Sequence, residues 1–209
     1  MLELLVVDEH SIFRIGLKRL LSDEPDMRVT GEASDGASAL LAMRSHAYGM
    51  VVLDINVKGH SGLETLAAIR AEHPRLPVIM LSMYEGGHYA ALALRGGANA
   101  YLSKNAQPGE IVRVIREVGC GTCLSPSVAG TQLKQLPHIG SHSSHERLTP
   151  RETQVVMKVV KGQSISEIGL SMGLSVKTIS THRTRALGKL GLTSNAQLVQ
   201  YAVQNGLID

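Results

Sequence analysis

The chain has no tryptophan, a single phenylalanine and only two cysteines in its 209 residues. Without large aromatics its cores rest on Leu, Val, Ile, Ala and Met, and a hydrophobic share of 44% suffices for two modest ones. No apolar run approaches the ~20 residues that cross a bilayer, so a membrane protein is not expected. The first residues, Met1-Leu-Glu-Leu-Leu-Val-Val-Asp8, carry no basic n-region and no small-residue cleavage site. A cytoplasmic location is expected. Cys120 and Cys123 form one C-x-x-C, but a thioredoxin-like site would need it at the start of a helix after a strand. Here it follows an apparently helical Glu110–Val118 and Gly119. His138, His142 and His145 could complete a zinc site with the two thiols, yet their spacing matches no closed four-ligand module. Two ordinary reduced thiols are expected. A nucleophile elbow and a phosphate-cradling glycine loop are also missing.

Charge of one sign is scarce in a revealing way. Residues 147–209 hold eight Lys/Arg against three Asp/Glu, whereas residues 1–125 hold twelve against fourteen. The net +3 therefore hides a basic tail on a mildly acidic body. Cations grouped on one segment neutralise phosphates and release counterions. The tail also carries helix punctuation. Thr149-Pro150-Arg151-Glu152 reads as a capping box with Pro at the first helical position. Val155, Val156, Val159 and Val160 form one apolar face, and Gly162 stops the helix. Ser164 caps a second helix whose Ile165, Ile168 and Leu170 are expected to face inward. Gly173-Leu174-Ser175 makes a tight turn, and Ser175 caps a third helix, Val176–Leu190. Two helices joined by a short turn, the second polar and basic, fit a major groove. On that helix Ile179, Ala186 and Leu190 face the core. Lys177, Thr178 and Thr181 are expected at bases or the groove floor, and Arg183, Arg185 and Lys189 at phosphates. His182 is open between a phosphate and the domain interior.

Leu148-Thr-Pro-Arg-Glu152, Gly162, Ile168-Gly-Leu-Ser-Met-Gly-Leu-Ser175, Thr178-Ile179, His182 and Lys189-Leu190 resemble the DNA-binding domain of the LuxR/FixJ regulators. The resemblance covers the last sixty or so residues. It departs at Asn195, where many relatives carry Arg after Ser.

Before the tail, short apolar runs alternate with amphipathic stretches. The runs are Leu2–Val7, Met27–Glu32, Met50–Leu53, Val78–Leu81 and Ala100–Leu102. Between them lie Ser11–Leu21, Gly36–Ser45, Ser61–Glu72, Gly86–Arg95 and Gln107–Val118. Five strands and five helices in alternation predict an α/β fold with a doubly wound, five-stranded parallel sheet, followed by a small all-α helix-turn-helix domain. Residues 120–146 shift to Gly, Ser, Pro, Gln and His and read as a linker, with one short helix near Ser127–Leu136. The expected domains are 1–119 and 147–209.

In such a sheet ligands gather at the carboxyl ends of the strands. Those ends carry Asp8-Glu9, Asp54, Ser82 and Lys104. Crowded carboxylates repel, so a bound divalent ion such as Mg²⁺ would stabilise them and bridge an incoming phosphoryl group, with Lys104 and Ser82 on its oxygens. Singly, each residue has an ordinary explanation; their joint placement does not. The constellation is similar to the receiver domain of two-component response regulators. Val6-Val7-Asp8-Glu9-His10 looks like the acid pair, Asp54 with Gly62 like the phosphoacceptor motif, Leu81-Ser82 like the switch hydroxyl segment, and Gly97–Lys104 like the last strand. The resemblance implies that Asp54 accepts a phosphoryl group from a sensor histidine kinase. It implies that Asp8, Glu9, Asp54 and the Asn56 carbonyl bind Mg²⁺, that Lys104 is the family's lysine, and that Ser82 and Tyr101 form the switch. Lys58 stands where the family usually has Pro, and Ala100 replaces a frequent Gly. The extra cation and the loosened loop could alter phosphoryl lifetime. His10 is expected to start a helix at the pocket mouth, and His46, His60, His73 and His88 have no partner in sequence.

Together these features predict a bacterial transcriptional regulator of the NarL/FixJ type. Its partners would be a histidine kinase, double-stranded DNA and, on activation, a second copy, with RNA polymerase as a candidate and no membrane. It would be no enzyme beyond its own phosphoryl transfer and dephosphorylation. The alternative is a phosphorylation-independent DNA-binding regulator with a receiver-like interaction domain. A hydrolase of small phosphoesters is a third reading, opposed by the basic tail and the lack of a substrate-binding insertion.

Overall fold

The computed structural model describes residues 1–57, 61–83, 87–121, 147–205 and Leu207. Lys58, His60, Cys123, His138, His142, His145, the side chain of His88 and the stretch Ser127–Leu136 lie outside the described residues. The chain divides into two compact units, Met1–Gln135 and Leu136–Asp209. Among the described residues no helix is long and apolar enough to cross a membrane.

In the first unit β1 (Leu2–Val7), β2 (Met27–Ala33), β3 (Met50–Asp54), β4 (Val78–Ser82) and β5 (Ala100–Ser103) alternate with five helices. These are α1 (Ser11–Ser22), α2 (Gly36–Ser45), α3 (Gly62–Glu72), α4 (Gly87–Arg95) and α5 (Pro108–Gly119). The strands are parallel in the order β2-β1-β3-β4-β5. The order reverses between β1 and β3, which opens a crevice at their carboxyl ends. Both β3 and β4 are buried along their whole length, as continuous apolar strands covered on two faces must be. Leu17 and Leu21 of α1 and Ile111, Val114, Ile115 and Val118 of α5 pack on Leu4, Val6, Met50 and Val52. Each such side chain contributes about 1.5–3 kcal/mol by leaving water. The register pairs Val7 with Leu53, Asp54 with Leu81 and Ser82 with Ser103. Asp8, Asp54, Ser82 and Lys104 therefore end up along one edge.

The second unit holds α6 (Pro150–Val160), α7 (Ile165–Met172), α8 (Val176–Leu190) and α9 (Asn195–Gln204). Full capping boxes, Thr149 with Glu152 and Ser164 with Glu167, start α6 and α7. Ser175 accepts from the Thr178 N–H at the head of α8. Gly173 ends α7 at φ +64°, a left-handed conformation that a Cβ would strain. The core comprises Val155, Val156, Ile168, Met172, Ile179, Ala186, Leu190, Leu198 and Ala202. Leu170 departs from expectation: it is 86% exposed. Two residues beyond Ile168 it lies roughly 200° around the helix, and Met172 fills the inward position instead.

Candidate functional site

Asp8 follows β1, Asp54 closes β3, and the Lys104 ammonium lies between them, 2.6 Å from Asp8 Oδ2 and 2.7 Å from Asp54 Oδ2. All three are buried, at 1%, 2% and 4% exposure. The ammonium also sits 4.8 Å from the centre of the Phe13 ring, the chain's sole phenylalanine. Asp8 Oδ1 accepts from the His10 N–H at 2.9 Å, and His10 Nδ1 lies 3.0 Å from the same oxygen. Arg14 Nη1 donates to the Asp8 carbonyl at 2.7 Å. Asp54 Oδ1 is buried without a hydrogen-bond donor. Burial pushes the Asp54 carboxyl up to about 6; Lys104 and the Asn56 backbone N–H pull it down and the Asp8 charge raises it again. Ser82 is fully buried at the end of β4. Gly62 opens α3 against the acceptor strand, where a Cβ would fall 2.0 Å from the Asp54 carbonyl oxygen. Only glycine allows that approach. The Ser61 cap and its Glu64 partner fix the start of the helix.

The structure thus brings together Asp8, Asp54 and Lys104, and adds His10 and Phe13 to them. The Asp8, His10 and Asp54 ligand atoms lie within 4.8 Å of one another. Glu9 is exposed and stands outside that group. Asn56 forms an isolated bridge with Ser61 just past the acceptor. Tyr101 is buried at 6% exposure. His10 is the cap residue of α1, as expected from its place after the acid pair. His46 does have a partner, Glu3, at 2.6 Å. The two are 43 positions apart, beyond the reach of any local pattern. Cys120 is the exposed C-cap residue of α5.

On α8 the expected DNA contacts fall into two groups. The charged groups of Lys177 and Arg185 are exposed, with no hydrogen bond or ion pair among the described residues. By contrast, Arg183 Nε donates to Asn195 Oδ1 at 2.6 Å. Lys189 Nζ lies 2.6 Å from Glu152 Oε2, the carboxylate of the α6 capping box. These two assigned phosphate contacts are engaged inside the unit. Asn195, the departure from the family pattern, is itself the acceptor for Arg183. Thr178 Oγ1 meets Ser175 Oγ at 2.8 Å, and Thr181 Oγ1 donates to the Lys177 carbonyl at 2.9 Å. His182 is half-buried. Thr184, absent from the expected contacts, is exposed on the same face as Lys177 and Thr181. Its spacing, seven residues after Lys177 and three after Thr181, was the available signal.

Residues 4–116 match the family model "Response regulator receiver domain", and residues 146–202 match "Bacterial regulatory proteins, luxR family". The chain is 34% identical to response regulator UvrY of Escherichia coli K12 over 209 residues, covering 99% of this chain and 96% of that protein. It is 32% identical to response regulator GacA of Pseudomonas protegens, covering 100% and 99%. A structure of RcsB from Salmonella enterica serovar Typhimurium, bound to promoter rprA in the presence of phosphomimetic BeF3−, has the same fold. Its TM-score is 0.66 at 22% identity, over 96% of this chain and 98% of that one.

Proposed function

Because this chain belongs to the response regulators that join a receiver domain to a LuxR-type DNA-binding domain and control transcription, we propose that Asp54 is its phosphoacceptor, charged by a sensor histidine kinase. The observation that carries this is Asp54 Oδ1, a buried carboxylate oxygen with no donor, while Lys104 holds the other oxygen. That free oxygen is the one available to attack phosphorus. Lys104 stays close enough to neutralise charge as the phosphoryl group arrives, and the Ser82 hydroxyl is the donor for its oxygens. Tyr101, buried on β5, is the aromatic partner of Ser82 in the switch.

Two buried carboxylates and an orphaned oxygen suit a hard divalent cation. Asp8 and Asp54 would hold Mg²⁺, with Glu9 and the Asn56 carbonyl as outer donors. When bound, the ion supplies positive charge that Lys104 alone cannot. The site serves its own phosphoryl transfer and dephosphorylation.

In the second unit we assign Lys177, Thr178, Thr181 and Thr184 to the groove, Arg185 to phosphate, and His182 to the rim. Arg183 and Lys189 set the position of the helix from within. α9 is uncharged and exposes Ala196, Val199 and Val203 along one side, which supports pairing with a second copy on DNA. RcsB, of the same fold, is a precedent for promoter binding in the phosphomimetic state. RNA polymerase is a further partner and the cytoplasm the setting. Residues 1–119, 120–146 and 147–209 serve as receiver, linker and DNA-binding domain.

Incubation with acetyl phosphate and Mg²⁺ should place one phosphoryl group per chain and tighten binding to promoter DNA. Asp54→Asn should abolish both while keeping the circular dichroism of the parent. Normal labelling of that variant would overturn the assignment.

A further inference from the structure

We infer that the Arg183–Asn195 bond sets the angle between the recognition helix α8 and the pairing helix α9, and so fixes the separation of half-sites that a pair of chains accepts on DNA. This rests on the reading of α9 as the surface that meets a second copy. Arg183 Nε, midway along α8, donates at 2.6 Å to Oδ1 of Asn195, the first residue of α9. α8 packs on α6 and α7, α9 packs on α6, and the two touch each other little. A side-chain bond between them therefore bears directly on their angle. At ~100° per residue, Arg183 falls about 40° from Ile179 and about 20° from Leu190 around the helix, on the buried stripe. Lys177 and Thr181 lie about 120° and 160° away from it. The Arg183 side chain thus leaves α8 toward α9, away from the groove face.

The neighbouring bonds of the joint hold its turn. Gly191 closes α8 at φ +71°, and the Leu192 N–H donates to the Leu187 carbonyl at 2.9 Å. Gln197 Oε1 accepts from the Thr193 N–H at 2.8 Å and from its hydroxyl at 3.0 Å, within the turn and the start of α9. Asn195 instead receives its donor from α8 itself. Arg, which many relatives carry at this place, offers no acceptor, so the clip is a feature of this chain. The consequence on DNA is geometric. Each added base pair moves a half-site about 3.4 Å along the duplex and turns it by about 35°. Two chains joined through α9 follow that displacement only if α8 swings against α9, and the clip resists the swing.

The test uses the full chain, treated with acetyl phosphate and Mg²⁺, on duplexes that carry two copies of a half-site selected from a random pool. Their separation is varied one base pair at a time, and the wild type should prefer one value. Asn195→Ala keeps the Ser194 cap and should reduce that preference about three- to tenfold, the worth of one net hydrogen bond, with base preference and salt slope unchanged. Arg183→Ala should do the same and the double variant no more, whereas Asn195→Asp, which keeps the acceptor, should restore the preference. Val203→Glu, on the exposed side of α9, should abolish paired binding. An unchanged separation profile in Asn195→Ala, with pairing still lost in Val203→Glu, would overturn the clip and leave the reading of α9 standing. Normal pairing by Val203→Glu would overturn that reading and the clip with it. A salt slope lowered by about one unit in Arg183→Ala alone would put Arg183 on a phosphate and also overturn the proposal.

Discussion

Asp54 in the first unit and Glu152 in the second are both buried carboxylates with a lysine ammonium within 2.7 Å, yet they titrate in opposite directions. Burial raises Asp54 to about 6 despite Lys104. Burial also pushes Glu152 up, but Lys189 and the Thr149 donors outweigh it and hold the group below the usual carboxylate range. The difference lies in satisfaction. Glu152 Oε2 takes the Thr149 N–H at 2.7 Å and Lys189 at 2.6 Å. Asp54 shares its lysine with a second acid, and beside it has only the Asn56 backbone N–H, too poorly placed to give Oδ1 a full hydrogen bond. Similar pairs thus do different work: one is a closed structural staple between α6 and α8, the other an open site short of positive charge.

The sharpest test of that contrast is pH. For Asp54, folded and unfolded values of about 6 and 3.8 mean that the native state holds the proton more tightly. Metal-free stability of the first unit should therefore fall as pH rises from about 4 to 6, by about 3 kcal/mol from this group. Glu152 has the opposite sign: its contribution is complete above 4.5 and is lost as pH falls through its depressed value. Residue-resolved amide exchange should show β3 protected more strongly at pH 4 than at 6, and α6 less strongly. Parallel slopes would erase the distinction.

Substitution should separate the pairs next. At pH 7 without metal, Asp54→Asn should stabilise the first unit by about 1–3 kcal/mol, because it removes a buried, underpaired charge. Glu152→Gln should destabilise the second by about 2 kcal/mol, the usual worth of hydrogen bonds to a charged group. Denaturant melts of both variants would reveal equal signs if the comparison were mistaken.

The smallest effect concerns DNA. Arg185→Ala should reduce the slope of log affinity against log salt by about one unit, as loss of one phosphate contact does. Lys189→Ala should leave the slope nearly unchanged while lowering thermal stability. A full unit lost with Lys189→Ala would make it a phosphate contact after all.

Local patterns in the sequence sufficed for most of this architecture. Alternating apolar runs marked the five strands to within a residue or two, because strands and helices obey periods of two and 3.6. The capping boxes at Thr149 and Ser164 needed only neighbours three positions away. Strand ends brought Asp8, Asp54, Ser82 and Lys104 to one edge because a parallel sheet orients all its carboxyl ends alike. What escaped was pairing across the fold. Lys189 meets Glu152 over 37 positions and His46 meets Glu3 over 43, and no periodicity encodes such contacts. Leu170 misled for another reason, since hydrophobic identity on a short helix does not by itself choose a face. Glu9 looked equivalent to Asp8 as text, but the chain turns between them and buries only the first.

Phe13 makes the first unit easy to observe. As the chain has no other phenylalanine, biosynthetic fluorophenylalanine would introduce a single ¹⁹F nucleus population beside the Lys104 ammonium. Fluorine shifts respond to local electric fields, so one resonance would register any change in the charge around Asp54 in the full-length protein. The acceptor site therefore comes with its own address for a spectroscopic reporter, and no residue needs to be added or removed to use it.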